Sequence, residues 1–253
     1  MPERDTYSSR LSGAVILAVA GWCLYAAAGE GARGPDHSGF ESCLECHAGR
    51  HREGREAGHS PATGCLRCHL PAATVPGRLA ADRDKLCESC HSQRAVLRGT
   101  GAEGIEETRS FHSGVACVSC HMTGGSHSMK VLRPDDPALP EDRVDSCTAC
   151  HKDNNRNTRA RQLRDWQSWY RETMEPLEAG LAEIEARMKD RPDLFTDEVK
   201  QKLSGVRRNL AIIERDGSAG AHNLDYALEV MALASRRLKE IRVATAPAGL
   251  GGK

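Results

Sequence analysis

The sequence has few of the residues from which a protein normally builds a core, and the shortage is concentrated in one half. Residues 37–155 contain no Trp or Tyr, and Leu, Ile, Val and Phe make up only 17 of these 119 positions. A fraction this low is typical of disordered segments, because little apolar side chain is available to offset the entropy lost on folding. We infer that this stretch folds only if something other than its own side chains supplies apolar surface.

Net charge is also missing, since 35 Lys and Arg residues balance 35 Asp and Glu residues. A balanced chain lacks the basic surface with which proteins bind a phosphate backbone. We therefore predict no nucleic-acid partner.

A long apolar run without charge occurs near the N-terminus, over the 18 residues 11–28. This length lies between that of a signal-peptide core and that of a spanning helix. Ala26-Ala27-Ala28 offers a cleavage site, whereas Trp22 and Tyr25 are typical of residues that anchor a retained helix at the membrane interface. We expect residues 1–29 to direct export and to stay as an anchor on the periplasmic side of the inner membrane. Cleavage near the alanine triplet, giving a soluble periplasmic protein, is the alternative.

Ten of the eleven cysteines fall in five copies of one pentapeptide, Cys-x-x-Cys-His. Two thiols at this spacing can both reach the vinyl groups of one porphyrin, and the next imidazole then reaches the iron from one face; this is the c-type haem attachment pattern. Structural zinc pairs two Cys-x-x-Cys units per metal and has no use for a His after every pair. Disulfides would not repeat one pentapeptide five times. We therefore predict five covalently bound haem c groups, whose apolar porphyrins would also supply the missing core.

The motifs give the attachment residues directly. The predicted thioether cysteines are Cys43, Cys46, Cys65, Cys68, Cys87, Cys90, Cys117, Cys120, Cys147 and Cys150. The predicted proximal iron ligands are His47, His69, His91, His121 and His151.

Six further histidines lie outside the motifs, and five irons need at most five distal ligands. Three of them precede a motif by five or six residues in a repeated arrangement, His-Ser-Gly or His-Ser-Pro. We expect the distal ligands to be His37, His59, His112, His127 and His222, with His51 as the spare. Met122 and Met129 are thioether alternatives, and such ligation would raise the potential of the haem concerned.

The C-terminal part has a different pattern, with apolar residues at steps of three and four that predict long amphipathic helices. Pro176 is expected to kink or split the first helix. Pro192 follows the predicted end of that helix, and Thr196 and Asn223 are the predicted N-caps of the two helices that follow.

These patterns predict a mainly α protein with an irregular multihaem cytochrome c domain that has little regular structure. The predicted order is an apolar helix (1–29), a linker (30–36), the pentahaem domain (37–155), a long helical hairpin or three-helix segment (156–243) packing on haems or a partner, and a flexible tail (244–253).

Two stretches resemble the pentahaem cytochrome c nitrite reductases, which form ammonia. In residues 111–129 one His shortly precedes Cys-Val-Ser-Cys-His-Met and another follows, and after the last motif long helices lead to Gly220-Ala221-His222-Asn223. The resemblance covers about residues 111–240. It implies that His112, His127 and His222 are distal ligands and that the long helices form a dimer interface.

The chain departs from that family in its motifs. The family usually marks its catalytic haem with Cys-x-x-Cys-Lys and is about twice as long, whereas all five motifs here end in His. The closely spaced N-terminal motifs look more like periplasmic electron-conduit cytochromes, and an anchor followed by haems resembles membrane quinol-dehydrogenase cytochromes.

Three functions follow from these features. The first is electron transfer between a quinol-oxidising or periplasmic donor and a terminal reductase, without catalysis by the chain itself. The second is reduction of nitrite or hydroxylamine at one open haem. The third is a haem-bearing subunit that docks through its helices in a larger respiratory complex. The histidine supply and the uniform motifs favour the first.

Overall fold

A computed structural model describes residues 40–59, 65–70, 79–153 and 155–246 of the 253-residue chain. The predicted export segment, the linker, His37 and most of the predicted C-terminal tail lie outside the described residues, as do the side chains of Cys43 and Cys46.

The N-terminal half of the described chain contains only short elements between irregular stretches. They are α1 (Phe40–Glu56), α2 (Arg83–Glu88), α3 (Gln93–Arg98) and α4 (Cys117–His121), with single 3₁₀ turns at Cys65–Arg67 and Thr123–Gly125. α1 leaves helical geometry at His47, where φ is −118° and ψ is 26°. His69 and Leu79 form an isolated antiparallel β-bridge. The described residues contain no β-sheet.

Three long helices make up the C-terminal half: α5 (Arg156–Asp190), α6 (Asp197–Asp216) and α7 (Leu224–Ala244). Each begins at a side-chain cap: Asn155 accepts from the amide of Thr158, Thr196 from that of Val199 and Asn223 from that of Tyr226. The prediction of a mainly α protein, irregular in its first half and built of long packed helices in its second, is confirmed.

Of the two effects predicted for Pro176, a kink or a split of the first long helix, the split is wrong, because α5 continues through Pro176 and has 35 residues. Pro176 removes one backbone hydrogen bond, but it lies on the exposed side of the helix. Water can therefore hydrate the carbonyl group that loses its partner. On the opposite side Met174, Leu177 and Ile184 are buried, so both halves of the helix are held against one core.

The core lies between α5, α6 and α7. Ile184, Tyr226, Val230 and Met231 are fully buried there, and burying one such apolar side chain stabilises a fold by about 1.5–3 kcal/mol. Among the described residues no helix is both long and apolar enough to span a bilayer.

A segment of the haem-motif half, residues 96–108, is bonded into this helical core. Buried Asn223 donates from Nδ2 to the carbonyl of Val96 (3.1 Å) and to that of Thr108 (2.6 Å). The Tyr226 hydroxyl donates to the carbonyl of Thr100 (2.8 Å) and accepts from the amide of Ala102 (2.9 Å). The loop after α3 is therefore fixed to the start of α7. His222 lies directly before the N-cap of that helix.

Gly99 and Gly217 give a matched pair of predictions about this junction. Both have left-handed backbones, with φ of 67° and 72°, but a Cβ at Gly99 would lie 2.0 Å from the Thr108 carbonyl oxygen, whereas one at Gly217 meets nothing within 4 Å. We expect Gly217→Ala to lower the free energy of unfolding by about 1–2 kcal/mol and Gly99→Ala by about 3–5 kcal/mol, because the backbone must also move. Denaturant unfolding of the haem-loaded variants measures both, and equal losses would show that the 96–108 segment is not packed as described.

Candidate haem sites

Each haem motif whose side chains are described is a single helical turn. In the second, third and fifth motifs the His amide donates to the carbonyl of the first Cys, at 2.8 Å for His69, 2.9 Å for His91 and 2.9 Å for His151. The fourth motif is the helix α4 itself. Residues three and four positions apart lie on one side of a helical turn. The two thiols and the imidazole of a motif therefore face the same space, as attachment to one porphyrin requires.

The thiols at the fourth and fifth motifs lie close to one another. Cys117, Cys120, Cys147 and Cys150 are free thiols in the structure. Burial raises the pKa of Cys147 to about 11, with smaller contributions from Asp145 and from Cys120. Burial also raises the pKa of Cys120, and the neighbouring Cys150 adds to that effect. The two attachment sites are thus adjacent in space although 30 residues separate them in sequence.

The structure brings eight histidines together in four pairs, each consisting of one motif histidine and one histidine from outside the motifs. The ring centroids are 6.0 Å apart for His59 and His91, 6.2 Å for His69 and His127, 6.0 Å for His112 and His151, and 6.1 Å for His121 and His222. We refer to these as the histidine pairs.

The separation within the pairs fits an iron held between two imidazoles. An imidazole nitrogen binds a first-row metal at about 2 Å, so two rings on opposite sides of one metal have centroids about 6 Å apart. The interplanar angles run from 28° to 83°, and this spread is expected because each ring can rotate about its own bond to the metal. Direct aromatic contact also occurs at 4.5–7 Å, but it would not select one motif histidine and one other histidine four times.

Hydrogen bonds fix several of the paired rings in the orientation that a ligand needs. His121 donates from Nδ1 to the carbonyl of Met129 (3.0 Å) and His127 to that of Gly125 (3.1 Å). A proton held on Nδ1 leaves Nε2 as the nitrogen that can bind a metal. Burial is also the main reason that the pKa values of His112 and His127 lie below the ordinary histidine value.

His222 is held by a different acceptor. Its Nδ1 donates to Oδ1 of Asp216 at 2.7 Å, and the Asp216 side chain is only 2% exposed. The turn between α6 and α7 brings the two together. It contains left-handed residues at Gly217, Ala219 and Gly220, and a Cβ at Gly220 would come within 2.9 Å of Leu224.

A guanidinium lies beside the pair formed by His112 and His151. Arg159 contributes to the lowered pKa of His112, after burial and the charge of His151. Its Nε is buried and has no hydrogen-bond partner among the described residues. A buried donor without a partner is costly. An anionic haem propionate would provide one, so this site also fits the group that the motif implies.

The proximal ligand predicted for the first motif, His47, is exposed on α1, and the predicted distal ligand His37 lies outside the described part. His51 is four residues further along α1 and half-buried. Among the described residues, no group of three or more His, Cys, Asp or Glu side chains is placed to hold a bare metal ion.

Sequence reasoning missed Asp216 as a partner of His222, and it could not tell Arg159 from the neighbouring Arg156, Arg161 and Arg164 as the arginine that would pair with a propionate. Nothing in the local sequence marks either one, because each depends on where the chain returns after a long helix or a turn.

Comparisons with known proteins bear on the motifs and on the fold. Residues 59–96 match the family model described as a doubled CXXCH motif. The fold is similar to that of the outer cell wall cytochrome OcwA, with a TM-score of 0.58 and 25% identity over 70% of this chain and 39% of that one. It is also similar to an undecahaem cytochrome from the S-layer of Carboxydothermus ferrireducens, with a TM-score of 0.50 and 20% identity over 79% of this chain and 36% of that one. No curated protein matches the sequence at a significant level.

The chain thus spans less than two fifths of either of these structures. It is a multihaem c-type cytochrome with paired Cys-x-x-Cys-His motifs, which bind haem c covalently.

Proposed function

We propose that the chain carries five haem c groups with two histidine ligands each and transfers electrons without chemistry of its own. The observation that carries this proposal is the set of four histidine pairs at 6.0–6.2 Å. In the proposed assignment the proximal ligands His69, His91, His121 and His151 take His127, His59, His222 and His112 as distal ligands. His47 takes His37.

A haem supplies a one-electron iron couple, and its protein ligands decide whether the iron is also open to a substrate. The chain's own contribution would be to supply two histidines to each haem and to orient their rings. His121, His127 and His222 are oriented by hydrogen bonds from Nδ1. Filled positions favour electron transfer over binding of a small oxyanion.

The proposed distal ligands also tie neighbouring sites together. His59 lies six residues before Cys65, His127 six residues after His121 and His112 five residues before Cys117. Six residues span at most about 20 Å even when fully extended. The haems of the third, second, fourth and fifth motifs therefore follow one another in space in that order, which gives electrons a path along the chain.

The first motif joins this path through α1. Oε2 of Glu53 on α1 accepts from the backbone amide of His127 at 2.7 Å, and that bond is the main cause of the lowered pKa of Glu53. The part of α1 that follows the first motif is therefore fixed to the loop that carries the proposed distal ligand of the second.

We place the chain outside the cytoplasm. The N-terminal apolar run supports export, and the two similar structures are a cell-wall and an S-layer cytochrome. We propose that it accepts electrons from a quinol-oxidising or periplasmic donor and passes them to a terminal reductase or a further cytochrome. The chain matches part of two longer cytochromes. The same electron-transfer role is therefore compatible with a haem-bearing subunit that docks through α5–α7 in a larger respiratory assembly.

A turnover assay separates this proposal from the nitrite-reductase alternative. We expect the fully reduced protein, mixed anaerobically with nitrite or hydroxylamine, to form little or no ammonia, because two histidines occupy each iron. The measurement follows haem reoxidation and ammonia together under continuous reduction. Sustained turnover at enzyme-like rates of about 1–1,000 per second would establish an enzyme instead.

A further inference from the structure

The Nδ1 atom of His222 donates its hydrogen bond to a carboxylate, that of Asp216. This acceptor distinguishes His222 from His121 and His127. Asp216 ends α6, and its side chain is 2% exposed while that of His222 is 23% exposed. Oδ1 accepts from Nδ1 of His222 at 2.7 Å. Oδ2 accepts from the amide of Ser218 at 3.3 Å and from the Ser218 hydroxyl.

The rings of His121 and His127 donate instead to backbone carbonyls. A carbonyl is a neutral acceptor, whereas a carboxylate carries a full negative charge, and hydrogen bonds to charged acceptors are roughly twice as strong. In a buried position water screens that charge poorly. The carboxylate therefore draws the Nδ1 proton toward itself and makes Nε2 a stronger electron donor.

A stronger donor stabilises the oxidised iron more than the reduced iron, and so does a buried negative charge near it. Both effects lower the reduction potential, and a hydrogen bond to an axial ligand is one of the means by which a protein tunes a haem. We propose that Asp216 is a positioning residue that orients His222 and lowers the reduction potential of the haem attached at Cys117 and Cys120. This inference rests on the proposed ligation of that haem by His121 and His222.

The test is a redox titration of haem-loaded variants, followed by optical and electron paramagnetic resonance (EPR) spectra. Asp216→Asn keeps an oxygen that can accept from His222 but removes the charge. We expect it to raise the potential of this haem by about a tenfold change in the reduction equilibrium, about 59 mV for one electron. Ser218→Ala removes the hydroxyl that donates to Oδ2 and accepts from the backbone amide of His222. It keeps the carboxylate and its bond to Nδ1, so we expect it to shift this potential by less than half as much as Asp216→Asn.

A double-mutant cycle separates positioning from a merely structural role. In a His222→Ala background the Asp216→Asn shift should be less than half as large, because the path through the imidazole is gone and only the charge at a distance remains. Equal shifts in both backgrounds, or no shift in the wild-type background, would overturn the role of Asp216. If His222→Ala leaves the haem low-spin, the proposed ligation itself is wrong and this inference falls with it.

A measurement on the unmodified protein covers the case in which Asp216→Asn fails to mature. The EPR signal lost in His222→Ala identifies this haem, and the signal lost in His127→Ala identifies the haem of the second motif, whose distal ring donates to a carbonyl. We expect the first signal to disappear at a lower potential than the second during reductive titration. The reverse order would overturn the proposal.

Discussion

Expressed without the haem attachment machinery, residues 40–92 should be unfolded and cut rapidly by protease, while a fragment containing residues 96–108 and α5–α7 survives. Burial differs sharply between the two halves. The helical half has a continuous core with Ile184, Tyr226 and Val230 fully buried, whereas the buried apolar residues of the first half are Val96, Leu97, Ala102 and Leu139 among those described. Three of these four lie in or next to the segment that packs on α6 and α7.

Proteolysis of the haem-free chain reports this difference, because cleavage tracks the population of open conformations. Cleavage within residues 40–92 should be at least about a hundredfold faster than in the haem-loaded protein, since that stretch has almost no side-chain core of its own. Mass spectrometry of the surviving fragment and circular dichroism of its helices complete the measurement. A haem-free chain that resists protease throughout and unfolds cooperatively would show that the core of the first half is adequate without haem.

Replacing His222 with alanine should open one haem. In the wild type the ring centroids of His121 and His222 are 6.1 Å apart. In the variant only the motif histidine, His121, remains as a ligand at this site. We expect about one fifth of the haem to become high-spin, given five motifs, and to bind cyanide or carbon monoxide. EPR and optical spectra of the purified variant measure this directly.

Met122→Leu is the matched control for that experiment. Met122 follows His121 directly and is one of the two thioether alternatives that the sequence offers, and leucine preserves its size. We expect the control to keep the low-spin spectrum of the wild type. A high-spin signal in Met122→Leu together with an unchanged spectrum in His222→Ala would assign the sixth ligand to the methionine.

Local sequence signals predicted the parts of this protein that depend on local chemistry. The cysteine motifs follow from the geometry of one helical turn, and the caps Thr196 and Asn223 follow from the hydrogen bonds that the first amides of a helix require. The supply of histidines outside the motifs could be counted, and it predicted that the irons need not be open.

The partners of those histidines could not be read from the sequence. His121 and His222 meet only because α5 and α6 carry the chain out and back before the turn at Gly217 and Gly220. That Pro176 does not split α5 could not be predicted for a related reason. A proline in a helix is tolerated when the affected carbonyl faces water, and which side faces water depends on tertiary packing. The burial of residues 96–108 also depends on tertiary packing. Their few apolar positions form no helical or strand pattern from which burial could be predicted.

The account depends most directly on the statement that the histidine pairs are axial ligand pairs. A quantitative EPR spectrum of the fully oxidised wild-type protein, combined with a pyridine haemochrome assay, tests this in one preparation. We predict five covalent haems per chain, with low-spin signals from at least the four haems whose histidine pairs are described. High-spin signals from two or more haems per chain would contradict the account.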